Sequence, residues 1–432
     1  MINTKKIAFA SFLLLWIFTT IALFPQTKIN GSEEQIVCVD DTTNSKSNLK
    51  DLIRLVAYNK IEEVSNGEYI KGTWEEVKNA KKSKITYWSY PTGVSLYALQ
   101  RVYKILNDEK IINYVNNDLL ISANVYEYLR WQKYKFGTIY NTQNLGKLWR
   151  LNMLDDCGVM GAALLESLMN FNLEPTTEIK QLVEIISNFV INVQARLYDK
   201  TFWRPKSPNS PSIWADDLFM SLPFLIKWSQ YSKDKSYLTD AAYQVVSFAS
   251  YLQDSIDGVW FHGYYVEKKE RTCCKWGRGN GWVAIAITEL LSALPENHKF
   301  YNQVLDIYKR QMSGIKKYQD DDGLWNQVLD HPELSFGTET SCSAQFAYAI
   351  ARGINRGWLV KKNYINVINH ALAGLKSRIT KNGAINKVCK STSLGDSLEY
   401  YNSRPIRDND YHGNGLMLMA LTEIYYLQKE YK

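Results

Sequence analysis

Five short segments concentrate the residue types that do chemistry. They are Tyr87-Trp88-Ser89-Tyr90-Pro91-Thr92-Gly93, Leu154-Asp155-Asp156-Cys157-Gly158, Trp214-Ala215-Asp216-Asp217-Leu218-Phe219-Met220, Trp276-Gly277-Arg278-Gly279-Asn280-Gly281-Trp282 and Gly337-Thr338-Glu339-Thr340-Ser341. A loop that only connects two helices needs turn formers and a cap, not paired carboxylates beside indoles. Each Asp pair, 155/156 and 216/217, could cap a helix N-terminus by accepting from orphan N–H groups and complementing the dipole. One member suffices for that. The bulk of Trp214, Leu218, Phe219 and Met220 around Asp216 predicts a carboxyl raised by desolvation and protonated near neutral pH. Two carboxyl groups brought from different helices to one hollow, Asp216 with Asp156 or Asp155, would make an acid and base set.

In the segment from Trp276 to Trp282, three glycines would let the backbone approach a ligand, while two indoles offer flat apolar faces to a sugar ring. Arg278, fixed between them, could pair in two-pronged fashion with a uronate carboxylate. A structural Gly-Trp turn is the alternative; a phosphate loop would need a following Lys-Ser/Thr and a preceding strand, and neither is present. His262, one of five histidines, lies in Trp260-Phe261-His262-Gly263-Tyr264 and could bond a substrate or tune an acid. The chain has no H-E-x-x-H, no G-x-S-x-G and no Cys/His cluster, so a carboxylate-driven site without metal or cofactor is expected.

The elements that must position these residues are helices. Leu99, Val102, Tyr103 and Leu106, then Ile179, Leu182, Val183, Ile186 and Val190, follow the spacing of one buried helical face, and strand-like alternation is scarce. Three segments repeat a Gly with a Glu eight residues later: Gly158 to Glu166, Gly281 to Glu289, Gly415 to Glu423. Further apolar helices open near Gly93, Asp216 and Ser341, which predicts six helical hairpins starting near residues 93, 158, 216, 281, 341 and 415. Units of this size bury their apolar faces only by stacking. The expected fold is therefore all-α, an (α/α)6 barrel with six inner helices opening their N-termini at one mouth, an environment suited to a carboxylate-bearing ligand. An open superhelix is the other arrangement compatible with the count.

The 432 residues are 46% apolar and 13% aromatic, ample for a large core, and the 10 prolines form no linker. A net charge of +7, from 51 Lys and Arg against 44 Asp and Glu, is spread along the chain without a stripe that could track phosphates, so no nucleic-acid partner is expected. Lys5 and Lys6 precede an apolar run from Ile7 to Phe24, the order of a secretory signal or an uncleaved N-terminal anchor. The reading is residues 1–30 as signal or anchor, 31–79 as an N-terminal extension with a first helix and 80–432 as the barrel, in an exported protein, periplasmic or extracellular. The six cysteines lack metal-site spacing and read mainly as packed thiols.

The ordered series Trp88-x-Tyr90-Pro91-x-Gly93, Leu154-Asp155-Asp156-Cys157-Gly158, Trp214-Ala215-Asp216-Asp217-Leu218-x-Met220, Trp276-Gly277-Arg278-Gly279-Asn280-Gly281-Trp282, Gly323-Leu324-Trp325-x-Gln327 and Glu339-Thr340-Ser341-x-Ser343-Ala344 resembles glycoside hydrolase family 105, the unsaturated rhamnogalacturonyl hydrolases, related to the unsaturated glucuronyl hydrolases. The resemblance covers about residues 80–425. It implies the six-hairpin barrel and removal of the unsaturated uronyl residue that lyases leave at a non-reducing end, begun by hydrating its enol-ether double bond. It implies Asp216 as the principal acid/base, Asp156 or Asp155 as the second carboxylate, and His262, Trp276, Arg278 and Trp282 as the uronate-binding set; Tyr90, Asp155 and Asn280 are read as further substrate-binding residues. The chain departs from many relatives upstream of Asp216, where Arg204-Pro205-Lys206-Ser207-Pro208 stands in place of a His-bearing segment, which leaves the source polymer open. The remaining alternatives are a conventional inverting glycosidase and a non-catalytic glycan-binding protein.

Overall fold

The computed structural model describes residues 45–61, 69–81, 87–142, 144–207, 210–334 and 337–429. Six inner helices, Tyr90–Leu106, Gly158–Asn170, Asp217–Ser232, Gly277–Ala293, Thr340–Asn355 and Gly413–Lys429, each pack on the next, and the sixth packs on the first, closing a ring. Their starts fall within about one helical turn of those expected from the repeat. Five outer helices, Glu109–Phe136, Thr177–Asn188, Ser236–Leu252, Tyr301–Lys317 and Lys361–Lys376, return beside the first five inner ones. The outer partner of the sixth inner helix is Ser45–Ile61. This helix, read from the sequence as part of an extension ahead of the barrel, packs on the last and first inner helices, so the first and last of the described helices pair where the ring closes. The segment expected as signal or anchor lies outside the described residues; among those described, no helix is long and apolar enough to cross a membrane.

The two helix layers follow from their side chains. The outer helix Thr177–Asn188 buries one stripe, Ile179, Leu182, Val183 and Ile186, and is capped by the Thr176 hydroxyl, which accepts from the Ile179 N–H. The inner helix Gly277–Ala293 is buried from Gly277 through Leu291, because neighbours surround it on all sides. Each such buried aliphatic side chain contributes about 1.5–3 kcal/mol relative to exposure. Close approach of the inner helices depends on small residues: a Cβ on Gly158 would sit 1.6 Å from the Met220 carbonyl oxygen of the next inner helix. Cys157, Cys274, Cys342 and Cys389 are buried thiols, and Cys273 is an exposed one.

The repeated glutamates have a structural role at the lower end of the barrel, toward the C-termini of the inner helices. Arg101, Glu166, Lys227, Glu289, Arg352 and Glu423 come one from each inner helix, with sign alternating around the ring, and line a cavity of about 300 Å³. Arg101 pairs with Glu289 at 2.6 Å, Lys227 with Glu166 at 2.5 Å and Arg352 with Glu423 at 2.7 Å. The Tyr97 hydroxyl donates to Glu289 at 2.8 Å, and the Tyr348 hydroxyl donates to its other oxygen.

Candidate active site

The upper end, where the inner helices begin, holds a cavity of about 710 Å³ walled by Tyr87, Tyr90, Trp214, Trp276 and Tyr411, with Asp155, Asp216, Lys60, Lys147 and Arg204 among its polar lining. Short strands in the connecting segments set the geometry. Ser212–Trp214 pairs antiparallel with Gly263–Tyr265, Trp214 opposite Gly263, and the Ala215 N–H donates to the His262 carbonyl at 2.9 Å. That register brings Asp216 and His262, 46 positions apart in the chain (262 minus 216), to one point.

Asp216 occupies the N-cap position of the third inner helix, yet its side chain makes no capping hydrogen bond. Instead, its Oδ2 lies 3.1 Å from His262 Nε2. The His262 ring is held from behind: its Nδ1 is 2.7 Å from the Tyr401 hydroxyl, which accepts from the Gly395 N–H. Tyr401 can thus donate to Nδ1, which leaves the Nε2–H on the Asp216 side, close to Oδ2 but out of hydrogen-bond alignment with it. Gly279 permits this packing, since a Cβ there would lie 3.0 Å from His262 Cδ2 and 3.5 Å from Asp216 Oδ2.

Asp216 is an ionised carboxylate, not the neutral acid its apolar sequence neighbours suggested. Burial pushes its pKa up, but His262, then Arg204 and Arg278, outweigh burial and hold it below the ordinary carboxylate value. The raised carboxyl is its neighbour. Burial drives Asp217 up to about 6; Arg204 opposes this, while Asp155 and Asp216 add to the rise. Arg204 is a buried clamp. Its guanidinium donates to Asp155 at 2.8 Å and to Asp217 at 2.6 Å, and lies 4.1 Å over the Trp214 ring.

Of the second Asp pair, Asp155 faces the cavity with its side chain 18% exposed, whereas Asp156 is only 2% exposed. Asp156 Oδ2 accepts from the Asn152 N–H at 3.1 Å, and burial raises its carboxyl pKa. The expectation of Asp156 as a cavity carboxylate therefore moves to Asp155.

Tyr90 and Trp276 line the cavity as expected, and the Trp276 Nε1–H is buried with no hydrogen-bond partner among the described residues. Four other expected contacts lie behind the wall. His262 is fully buried and orients Asp216. Arg278, 1% exposed, donates from Nη2 to the Lys390 carbonyl at 2.9 Å and from Nη1 to the Cys389 carbonyl, so its fork holds a loop. Asn280 accepts from the Trp260 N–H at 2.7 Å and donates to the Trp260 carbonyl at 2.7 Å. Trp282 stacks on Phe219 with ring centroids 4.9 Å apart and meets Tyr90 edge-on. The glycines of this segment admit neighbouring protein groups rather than a ligand: Gly281 approaches Gln345, as Gly279 does His262. Glu339, in the fifth segment, caps the fifth inner helix by accepting from the Ser341 and Cys342 N–H groups, both at 2.8 Å.

Sequence reasoning did not select Lys60, Lys147 or Arg204 as site residues. Lys60 comes from the outer helix that closes the ring, and Lys147 Nζ sits 5.6 Å over the Tyr90 ring. The usable signal was the unusual Arg204 just upstream of Asp216; the lysines had none, because closure of the barrel brings Lys60 to the mouth and Lys147 stands on a short helix between the first outer and second inner helices, outside the motifs.

The family model described as Glycosyl Hydrolase Family 88 matches residues 61–428. The chain belongs to glycosyl hydrolase family 88. This family 88 chain is 28% identical over 216 residues to an unsaturated 3S-rhamnoglycuronyl hydrolase of Alteromonas sp. (strain LOR), covering 49% of this chain and 50% of that protein. It is 25% identical over 217 residues to the unsaturated rhamnogalacturonyl hydrolase YesR of Bacillus subtilis, covering 50% and 60%. The match thus spans about half or a little more of each relative's length. A solved structure of a possible member of the GH105 family from Klebsiella pneumoniae superposes with a TM-score of 0.69 at 21% identity, covering 96% of this chain and 100% of that one, and shares the fold.

Proposed function

We propose that this chain removes the unsaturated uronyl residue from the non-reducing end of lyase-generated oligosaccharides by hydrating its enol-ether double bond. The observation that carries the reading is an uncapped Asp216 carboxylate, mostly but not fully buried and held beside His262, inside an aromatic cavity that also presents Lys60 and Lys147. The indoles and phenols suit the flat faces of a sugar, and the lysines suit a uronate carboxylate.

Bringing that anion into the cavity adds a like charge and removes water, and both raise the Asp216 pKa. Asp216, protonated in the complex, gives its proton to the double-bond carbon, and positive charge develops on the ring carbon bearing the enol-ether oxygen. The resulting carboxylate takes a proton from a water that adds there. The hemiketal so formed collapses, releasing the remaining sugar; the net change is one water added and one glycosidic bond lost. Asp155, clamped by Arg204 and lining the same cavity, supports the developing positive charge.

Both curated relatives carry names that join a rhamnose unit to a uronate, which supports a rhamnose-linked unsaturated uronate as the substrate class. The N-terminal apolar run supports a place outside the cytoplasm, where lyase fragments are met. The test is incubation with a panel of lyase-generated oligosaccharides. Loss of the ultraviolet absorbance of the conjugated double bond together with release of a shortened saturated sugar is expected; a panel left intact throughout would refute the reading.

A further inference from the structure

The cavity wall contains a second Asp–His–Tyr chain, built from residues that the mechanism above does not use. Asp410 Oδ1 lies 2.5 Å from His412 Nδ1 and also accepts from the His412 backbone N–H at 3.1 Å. On the other side of the ring, His412 Nε2 lies 2.7 Å from the hydroxyl of Tyr90, which lines the cavity. Asp410 and His412 are buried, 6% and 3% exposed, just ahead of the sixth inner helix, whereas Tyr90 begins the first. The chain of contacts therefore bridges the seam at which the barrel closes.

We propose that Asp410 and His412 form a positioning pair that fixes Tyr90 as a hydrogen-bond acceptor toward the cavity, so that the ligand group recognised there is a sugar hydroxyl and not the uronate carboxylate. Donor counting gives the polarity. Asp410 is ionised: burial raises its carboxyl pKa, but the hydrogen bonds it accepts from the His412 ring and backbone N–H outweigh that and lower it. An ionised carboxylate only accepts, so His412 Nδ1 carries a proton. Burial and the nearby Arg278 charge bring His412 down to about 4, leaving one ring proton at neutral pH. That proton is on Nδ1, and Nε2 is a bare acceptor. The Tyr90 phenol stays protonated, since burial pushes its pKa well above the ordinary value, and its O–H donates to Nε2. What the Tyr90 oxygen offers to a ligand is a lone pair. A carboxylate presents no hydrogen to it; a ring hydroxyl does.

The order is the reverse of that at Asp216, where Tyr401 is the buried terminus and the carboxylate is the cavity end. Toward the cavity, histidine presents an N–H to a carboxylate in one chain and a lone pair to a phenol in the other.

Two measurements test the proposal. Its polarity is read from 15N-histidine-labelled protein at pH 7 without substrate, the His412 signals being those lost in His412→Gln. A protonated Nδ1, an unprotonated Nε2 and a shift confined to Nε2 in Tyr90→Phe are expected. A proton on Nε2, or signals unmoved by Tyr90→Phe, would overturn it. Its consequence for recognition rests on the hydrolase reading above and is read from kinetics on an unsaturated oligosaccharide. Tyr90→Phe and His412→Phe should each raise KM about 5- to 10-fold with kcat within about threefold, the loss of one neutral hydrogen bond, and the double variant should match Tyr90→Phe alone. His412→Gln, whose amide oxygen can accept from Tyr90, should recover part of the loss and serves if His412→Phe folds poorly. Additive effects or an unchanged KM would remove His412 from the role. Failure of the wild-type protein to turn over any lyase product would strike the hydrolase reading, and the 15N result would still decide the polarity.

Discussion

The two ends of the barrel use much the same charged groups for opposite ends. At the lower mouth, one charge from each inner helix alternates in sign around the ring, and each carboxylate meets a cation directly. At the upper mouth the carboxylates are divided: Asp217 and Asp155 are held by Arg204, while Asp216 has a histidine and keeps 13% of its side chain exposed. A closed ring of pairs gives stability without leaving a group to react. The incomplete pairing above keeps a carboxylate at a cavity wall, where a ligand can change its charge state.

The sharpest way to break this comparison is Asp216→Asn. It should lower kcat on an unsaturated oligosaccharide by about 1000-fold, within the range for a lost acid/base group, with the thermal midpoint unchanged or raised. Glu289→Ala should do the converse. Leaving Arg101 without its partner is expected to cost about 4 kcal/mol in denaturant unfolding, with kcat of the folded protein within about twofold of wild type.

The pH dependence sharpens the lower-ring half of the comparison. Burial pushes Glu289 up, but Arg101 and Arg352 outweigh it and bring the carboxyl down to about 2 from an ordinary 4.5. A depressed carboxylate stabilises the fold above the unfolded-state value and loses that contribution as pH falls toward its folded value. The thermal midpoint should therefore drop between about pH 4.5 and pH 2, and Glu289→Gln should drop less over the same interval. Gly279→Ala tests the upper mouth more gently. Its Cβ presses on His262, the neighbour of Asp216, so kcat should fall about tenfold with little change in the thermal midpoint. The smallest effect is expected for Lys104→Ala at the rim of the lower ring. Lys104 meets Glu166 at 3.2 Å but is half exposed, so unfolding should weaken by less than about 1 kcal/mol and activity should not change.

The barrel was legible because its architecture is written in local, repeating marks. Glycines that admit the next inner helix recur at a near-regular interval, and the glutamates eight positions later are members of the lower ring. Asp216 was legible as a cavity residue because it opens one of those helices. Other assignments required phase and closure. Asp155 and Asp156 lie in a short 3-10 turn ahead of the second inner helix, where neighbours differ by about 120° in direction, so they cannot share a face, and type alone does not say which turns inward. Arg278 has the chemistry of a uronate ligand, but its direction is set by a loop more than a hundred residues away, at Cys389 and Lys390. The ionisation of Asp216 was misjudged because Trp214, Leu218, Phe219 and Met220 are near in sequence, while His262 and Arg278 are near in space. Lys60 was out of reach for the same reason, since it arrives on a helix from the other end of the chain.

The most direct measurement of the central claim compares turnover of two oligosaccharides identical except for the double bond in the terminal uronyl residue. Addition of water across that bond, begun by Asp216, can cleave only the unsaturated one. Wild-type protein should release the terminal unit from it and leave the saturated twin intact, and Asp216→Asn should release neither at a comparable rate. Equal release from both by the wild type, or undiminished release by the variant, would contradict the account.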